Sequence, residues 1–141
     1  MTARRPRERG SLTLEFAIIA PAVLVLIGLA IVGGRVVVAG DAVDQAAAAA
    51  AREASLARDP VTADRQAHRT ATQMLDQDLD CRDVTVDLDL SAFARPVGSP
   101  GAVRATVTCL VDLQGLGVPG VPGERRLEGT AVSSLDRYRS R

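Results

Sequence analysis

The chain opens polar, becomes apolar for one long stretch, and then shows two shorter periodicities in turn. From Phe16 to Gly34 the run FAIIAPAVLVLIGLAIVGG carries no charge and no strongly polar side chain over 19 residues. As a helix at 1.5 Å per residue it spans roughly 28 Å, close to the hydrocarbon thickness of a bilayer. Pro21 would disrupt the interior of a soluble helix but is tolerated near the start of a membrane helix. Beyond Arg35, the segment VVVAG prolongs the apolar character on the far side. Asp41 to Arg58 is dominated by Ala, the best helix former. There Val43, Ala46, Ala47, Ala50, Ala54 and Ala57 recur at three- and four-residue steps. The spacing predicts one long rod continuing outward from the apolar run, with Gly33-Gly34 and Gly40 as soft points. Its small-residue stripe lets another helix approach closely.

Asp59-Pro60 breaks the rod, with Asp as N-cap and Pro at the first helical position of a second helix. That helix runs to about Leu79, with Ala67, Ala71, Met74, Leu75 and Leu79 on its apolar side. The period then changes to two. In DVTVDLDL, Val84, Val86, Leu88 and Leu90 alternate with Thr85, Asp87 and Asp89. A polar connection through Arg95-Pro96 and Ser99-Pro100-Gly101 leads to AVRATVTCLVDL, where Val103, Ala105, Val107, Cys109, Val111 and Leu113 share a face. The two runs predict an antiparallel hairpin with a long loop. A turn-rich stretch, QGLGVPGVPGE, precedes RRLEGTAVSSLD, a candidate third strand, and the polar tail RYRSR. The expected fold class is α+β: a long N-terminal transmembrane helix continuing into an extracytoplasmic helix, then a second helix and an antiparallel sheet of two or three strands. The expected boundaries are a basic leader over 1–10, the helical region over 11–58, and a small extracytoplasmic domain over 59–141.

Charge orients this plan. The whole chain is formally neutral, which argues against a bulk polybasic nucleic-acid binder. The neutrality conceals a basic head, with Arg4, Arg5, Arg7 and Arg9 against Glu8, and a mildly acidic remainder. Arginines before the apolar run and acids after it place the N-terminus in the cytoplasm and the residues from about Val36 outside. The run exceeds the 7–15 apolar residues of a cleaved secretory signal, and the best small-residue site for one, Val37-x-Ala39, lies beyond Arg35. Arg4-Arg5 followed by Pro-Arg-Glu is a poor twin-arginine signal, and the absence of a Cys directly after the run excludes a lipoprotein.

Glu15 is the feature that a plain anchor does not need. It lies in Gly10-Ser-Leu-Thr-Leu-Glu15-Phe16, at the edge of hydrocarbon, where a carboxylate is costly. Cutting after Gly10 would free a cationic amine on Ser11 near that carboxylate or a neighbour's. The bland alternative is a boundary residue snorkelling toward Arg9. RGSLTLEFAIIAPAVLVLIGLAIVGGR resembles the start of the TadE-like pilus-assembly proteins: a basic leader, Gly, four residues, Glu, an aromatic, then an apolar run with an early Pro. Gly10, Glu15, Phe16 and Pro21 match position by position, and DAVDQAAAAAAREAS fits the continuation. The resemblance covers residues 9–55. It implies a pseudopilin-like minor component of a tight-adherence pilus, cleaved after Gly10 by a prepilin peptidase. The implied partners are the membrane, that peptidase and other pilus subunits, in a cell-adhesion setting.

The remaining chemistry is sparse. Cys81 and Cys109 are the only thiols. Outside the cytoplasm such a pair is expected to be oxidised, the alternative being two free thiols. By strand parity Cys109 faces inward while Cys81 has the outward parity relative to Val84, so Cys81 is expected in the turn before the strand. The two are not a zinc site, since no His is near either. His68, four residues after Asp64, reads as half of an exposed helix pair. Asp76, Asp78, Asp80 and Asp83 lack the Gly and terminal Glu of a calcium loop. Gly115, Gly117, Gly120 and Gly123 are not followed by the Lys-Ser/Thr of a phosphate loop. With one His and no credible nucleophile pair, no catalytic residues, cofactor, metal or small-molecule substrate are expected. The competing reading is an unprocessed single-pass anchor carrying an extracytoplasmic binding module. The first residue of the mature chain separates the two.

Overall fold

The computed structural model describes residues 9–96, 98–112 and 123–135, with side chains from Glu15 onward. The basic head before Arg9, most of the turn-rich stretch with Leu113, and the tail lie outside the described residues. Contacts divide the chain into two units, Met1–Gly34 and Arg35–Arg141.

Helix α1 spans Arg9–Leu56 and continues through Pro21, Gly33, Gly34 and Gly40. In the first unit its apolar side chains have no protein neighbours to bury them: Phe16 is 73% exposed, Leu24 68% and Leu29 70%. Large apolar side chains exposed all round a helix suit a lipid environment rather than water. Among the described residues, this is the one helix long and apolar enough to cross a membrane.

In the second unit the same helix changes character. Ala39, Val43, Ala46, Ala47, Ala50, Ala51 and Ala54 are all buried, and α1 ends at Leu56, two residues before the expected Arg58. Ala57 closes the last turn by donating its N–H to the Ala54 carbonyl at 3.3 Å. Helix α2, Pro60–Asp78, starts where its cap dictates. Asp59 is extended; its Oδ1 accepts from the Thr62 N–H and its Oδ2 from the Thr62 hydroxyl, both at 2.8 Å. One of the orphan backbone donors of the helix start is thereby satisfied, and the hydroxyl contact reinforces the cap. Those bonds, the backbone one foremost, hold the Asp59 carboxyl below its ordinary pKa. The buried face of α2 is Ala63, Ala67, Ala71 and Leu75. Met74 and Leu79, expected on that face, flank the core half-buried.

Three strands follow: β1 (Cys81–Asp89), β2 (Ala102–Asp112) and β3 (Glu124–Ser134), antiparallel in the order β1-β2-β3. Val103, Ala105, Val107, Cys109 and Val111 of the central strand are buried in the same cluster as the alanines of both helices. The fold is therefore α+β, with the helices against one face of an antiparallel sheet. Leu90 does not extend β1. Asp89 Oδ1 accepts the Ser91 N–H at 3.0 Å, an Asx turn that ends the strand and starts a 3₁₀ turn, Ser91–Ala94. Ala92 of that turn is buried, and a Cβ on Gly101 would stand 2.9 Å from the Ala92 Cβ.

The expected position of Cys81 needs correction. It is the first residue of β1, paired with Val111, not a residue of the preceding turn. The ladder slips between Cys81 and Asp83, so that the next pairs are Asp83 with Leu110 and Val84 with Cys109. One extra residue, Arg82, reverses the side-chain parity. Cys81 consequently joins the inward row beside Val111, diagonal to Cys109, and the two form a disulfide with Cα atoms 5.6 Å apart. Arg82 instead pairs with Glu124, reaching across β2 to β3.

Candidate functional site: the apolar helix and its leading motif

Gly10 and Ser11 lie within the first turn and a half of α1. At 1.5 Å per residue, Glu15 follows Gly10 by about 7.5 Å along the axis. Ser11 and Glu15 are four apart and so share one helix face. Glu15 and Phe16 are both exposed, and the apolar run begins with Phe16, directly after Glu15. The carboxylate therefore stands at the threshold between a polar end and a surface that only hydrocarbon or other helices would cover. Such a group is available to a cation on a neighbouring helix.

Residues 10–52 match the family model for TadE-like proteins. The matched segment begins at Gly10 and ends inside α1, so it takes in the leading motif, the apolar run and most of the alanine-rich outer part. It covers less than a third of the chain and leaves α2 and the sheet outside it. No curated sequence and no solved structure gives a significant match to the chain. The TadE-like segment thus contains every residue of the leading motif, Gly10, Ser11, Glu15 and Phe16, and neither cysteine.

Elsewhere the sequence-predicted groups disperse. His68 Nε2 lies 3.7 Å from Asp64 Oδ1 at an exposed helix surface. Asp76, Asp78 and Asp80 line an open recess of about 400 Å³ where α2 leads into β1. Among the described residues no three His, Cys, Asp or Glu side chains stand close enough to hold a metal ion.

One packing position escaped the sequence reading. A Cβ on Gly129 would stand 2.7 Å from Asp44 Oδ1 and 2.8 Å from both Asp44 N and Val43 C. The sheet rests on α1 there with no room for a side chain. A lone Gly within an otherwise alternating strand was the available signal, since it marks a bulge or a close backbone approach.

Proposed function

We propose that this protein is a minor pilin-like or pseudopilin-like structural component in the assembly of a tight-adherence pilus. It is held in the membrane by Phe16–Gly34, with its N-terminus cytoplasmic and the Arg35–Arg141 unit outside. A prepilin peptidase cuts after Gly10. The carrying observation is the TadE-like match that begins at Gly10 and joins the Gly-x4-Glu-Phe motif to an exposed apolar helix. Each part has a physical role. Gly10 leaves the scissile bond unhindered by a side chain. Cleavage places an ammonium on Ser11, and Glu15 supplies a carboxylate that pairs with such an ammonium on an adjacent subunit. At membrane depth the low dielectric makes that pairing stronger than at a wet surface. The role is structural rather than catalytic.

The test is the mass of the mature chain. Processing predicts a chain that starts at Ser11, and Gly10→Val should retain the ten-residue leader. A mature protein starting at Met1 would favour the unprocessed anchor, and a normal mass for Gly10→Val would remove Gly10 from the mechanism.

A further inference from the structure

Among the described residues the sheet has two unpaired edges: no strand pairs with the outer side of β1 or of β3. Each is antiparallel to β2, so the two edge strands run in the same direction. β3 also advances along α1: Gly129 lies against Val43 and Asp44, and Ser133 Oγ meets Ser55 Oγ at 2.9 Å. An unpaired edge is a template for another strand.

We propose that the strand these edges accept belongs to a second copy of this chain: β3 of one copy pairs in parallel with β1 of the next, so that the sheet continues from copy to copy. The proposal rests on the reading of Phe16–Gly34 as a membrane anchor and does not depend on cleavage after Gly10. The anchor connects to the outer unit at Arg35, so every copy in one membrane is tethered at the same end of that unit. Pairing β3 with β3 in the antiparallel sense, or β1 with β1, would turn one tether away from the membrane. Pairing like edges in the parallel sense would flip one sheet and put its helices on the opposite face. Only β3 against β1 keeps both the tether direction and the helix layer.

The rows of the sheet show that the two edges are complementary. Across β2, Asp83 is level with Arg126, Thr85 with Glu128, Asp87 with Thr130 and Asp89 with Val132. On the helix side, Val84 is level with Leu127, Val86 with Gly129 and Leu88 with Ala131. Pairing without stagger brings the same rows together across the new edge. Asp83 then meets an arginine, Asp87 a threonine, and the apolar row of β1 meets the apolar row of β3. In the rows from Asp83 to Asp89 no two like charges oppose each other. The acids of β1, which would blunt pairing with another acidic edge, suit the edge that bears Arg126. The contact is heterologous, so it repeats from copy to copy, as a ring or an open row, instead of stopping at a two-fold dimer.

The test uses the full chain in its membrane, with Asp87→Cys on one tagged form and Thr130→Cys on another. Both positions are exposed. Mild oxidation should give a crosslinked pair when the forms are co-expressed and none with either form alone. A chain carrying both substitutions should give a ladder. Arg126→Asp should lower the crosslinked yield several-fold, and Asp83→Arg on the partner should restore it. Retained, membrane-bound forms with an intact Cys81–Cys109 bond and no mixed crosslink would overturn the pairing while leaving the anchor reading standing. So would equal crosslinking by the single forms. Loss of the unsubstituted chain from the membrane would overturn the anchor reading and the pairing with it.

Discussion

Gly129→Ala adds one methyl group at the point where β3 meets α1. The new Cβ would lie 2.7–2.8 Å from Asp44 Oδ1, Asp44 N and Val43 C. Two of those atoms are helix backbone, which does not swing aside as a flexible side chain would. Overpacking of this kind costs about 1–3 kcal/mol. Against it, replacing Gly removes unfolded-chain freedom worth about 0.4–1 kcal/mol where the native backbone accepts Ala. The steric cost prevails, leaving a net loss of about 1–2 kcal/mol, a factor of roughly 5–30 in the opening equilibrium. Gly40→Ala is the matched control. A Cβ there meets nothing within 4 Å, and the position is in the interior of α1. Ala is favoured over Gly in a helix by about 0.8–1 kcal/mol, so this change should stabilise. Amide hydrogen exchange of the full chain in detergent, read by mass spectrometry on peptides from β2 and β3, reports both. Exchange should quicken in Gly129→Ala and slow or hold in Gly40→Ala. Unchanged or slower exchange in Gly129→Ala would refute the close approach of sheet and helix.

Replacing Cys81 and Cys109 together by Ala should lower the unfolding free energy of the Arg35–Arg141 unit by about 3.6 kcal/mol, the chain-entropy value for a loop of this length. Alkylation of the unreduced native chain should label neither cysteine. Asp59 is held below its ordinary pKa of 3.8 when folded, so its cap stabilises α2 above that value and loses its effect as the pH falls through the lowered one. Far-UV circular dichroism of the native chain against Asp59→Asn should therefore differ in acid dependence below about pH 4 and run parallel above it. Glu15→Leu should remain membrane-bound and processed yet fail to co-purify with other pilus components, and normal pilus production by such a strain would reduce Glu15 to a boundary residue.

The pattern of apolar positions carried most of this architecture. The period of 3.6 picked out the stripe Val43 to Ala57, and the period of two picked out the inward row Val103 to Val111, all of it now in the core. The Asp59-Pro60 pair located the start of α2 to the residue because a cap is a local device. Misplacements arose where one residue upset the count. Parity alone sent Cys81 outward, but the extra residue at Arg82 brought it in. The alternation of β1 promised one more strand residue at Leu90, and the Asp89 carboxylate diverted the chain into a 3₁₀ turn instead. Sequence periodicity assumes regular pleat, and bulges and Asx turns break that assumption without changing composition. The leading motif Gly10–Phe16 was visible for a different reason, since the spacing of a Gly and a Glu before an apolar run needs no tertiary contact to be seen, and the TadE-like match takes it in.

The two halves of α1 meet different surroundings and are built accordingly. From Phe16 to Gly34 the bulky side chains Phe, Leu, Ile and Val are exposed, which gives a lipid the most apolar surface per turn. From Ala39 to Ala54 almost every buried side chain is a methyl group. Such a helix contributes little transfer free energy per residue, since each Ala removes only a small apolar area from water. What it provides is proximity: the sheet can come close enough that only Gly129 fits against it. The large buried side chains are correspondingly few, with Leu75, Val43, Val103, Val107 and Val111 foremost. A core so poor in large residues holds its fold with less reserve than its length allows, and the covalent tie between β1 and β2 fills that gap. The tie joins Cys81, at the bulged start of an edge strand, to Cys109 in the central strand. It therefore fixes the register of β1 where the ladder slips, and that register keeps Asp83, Thr85 and Asp87 in the row that β1 presents at its open edge.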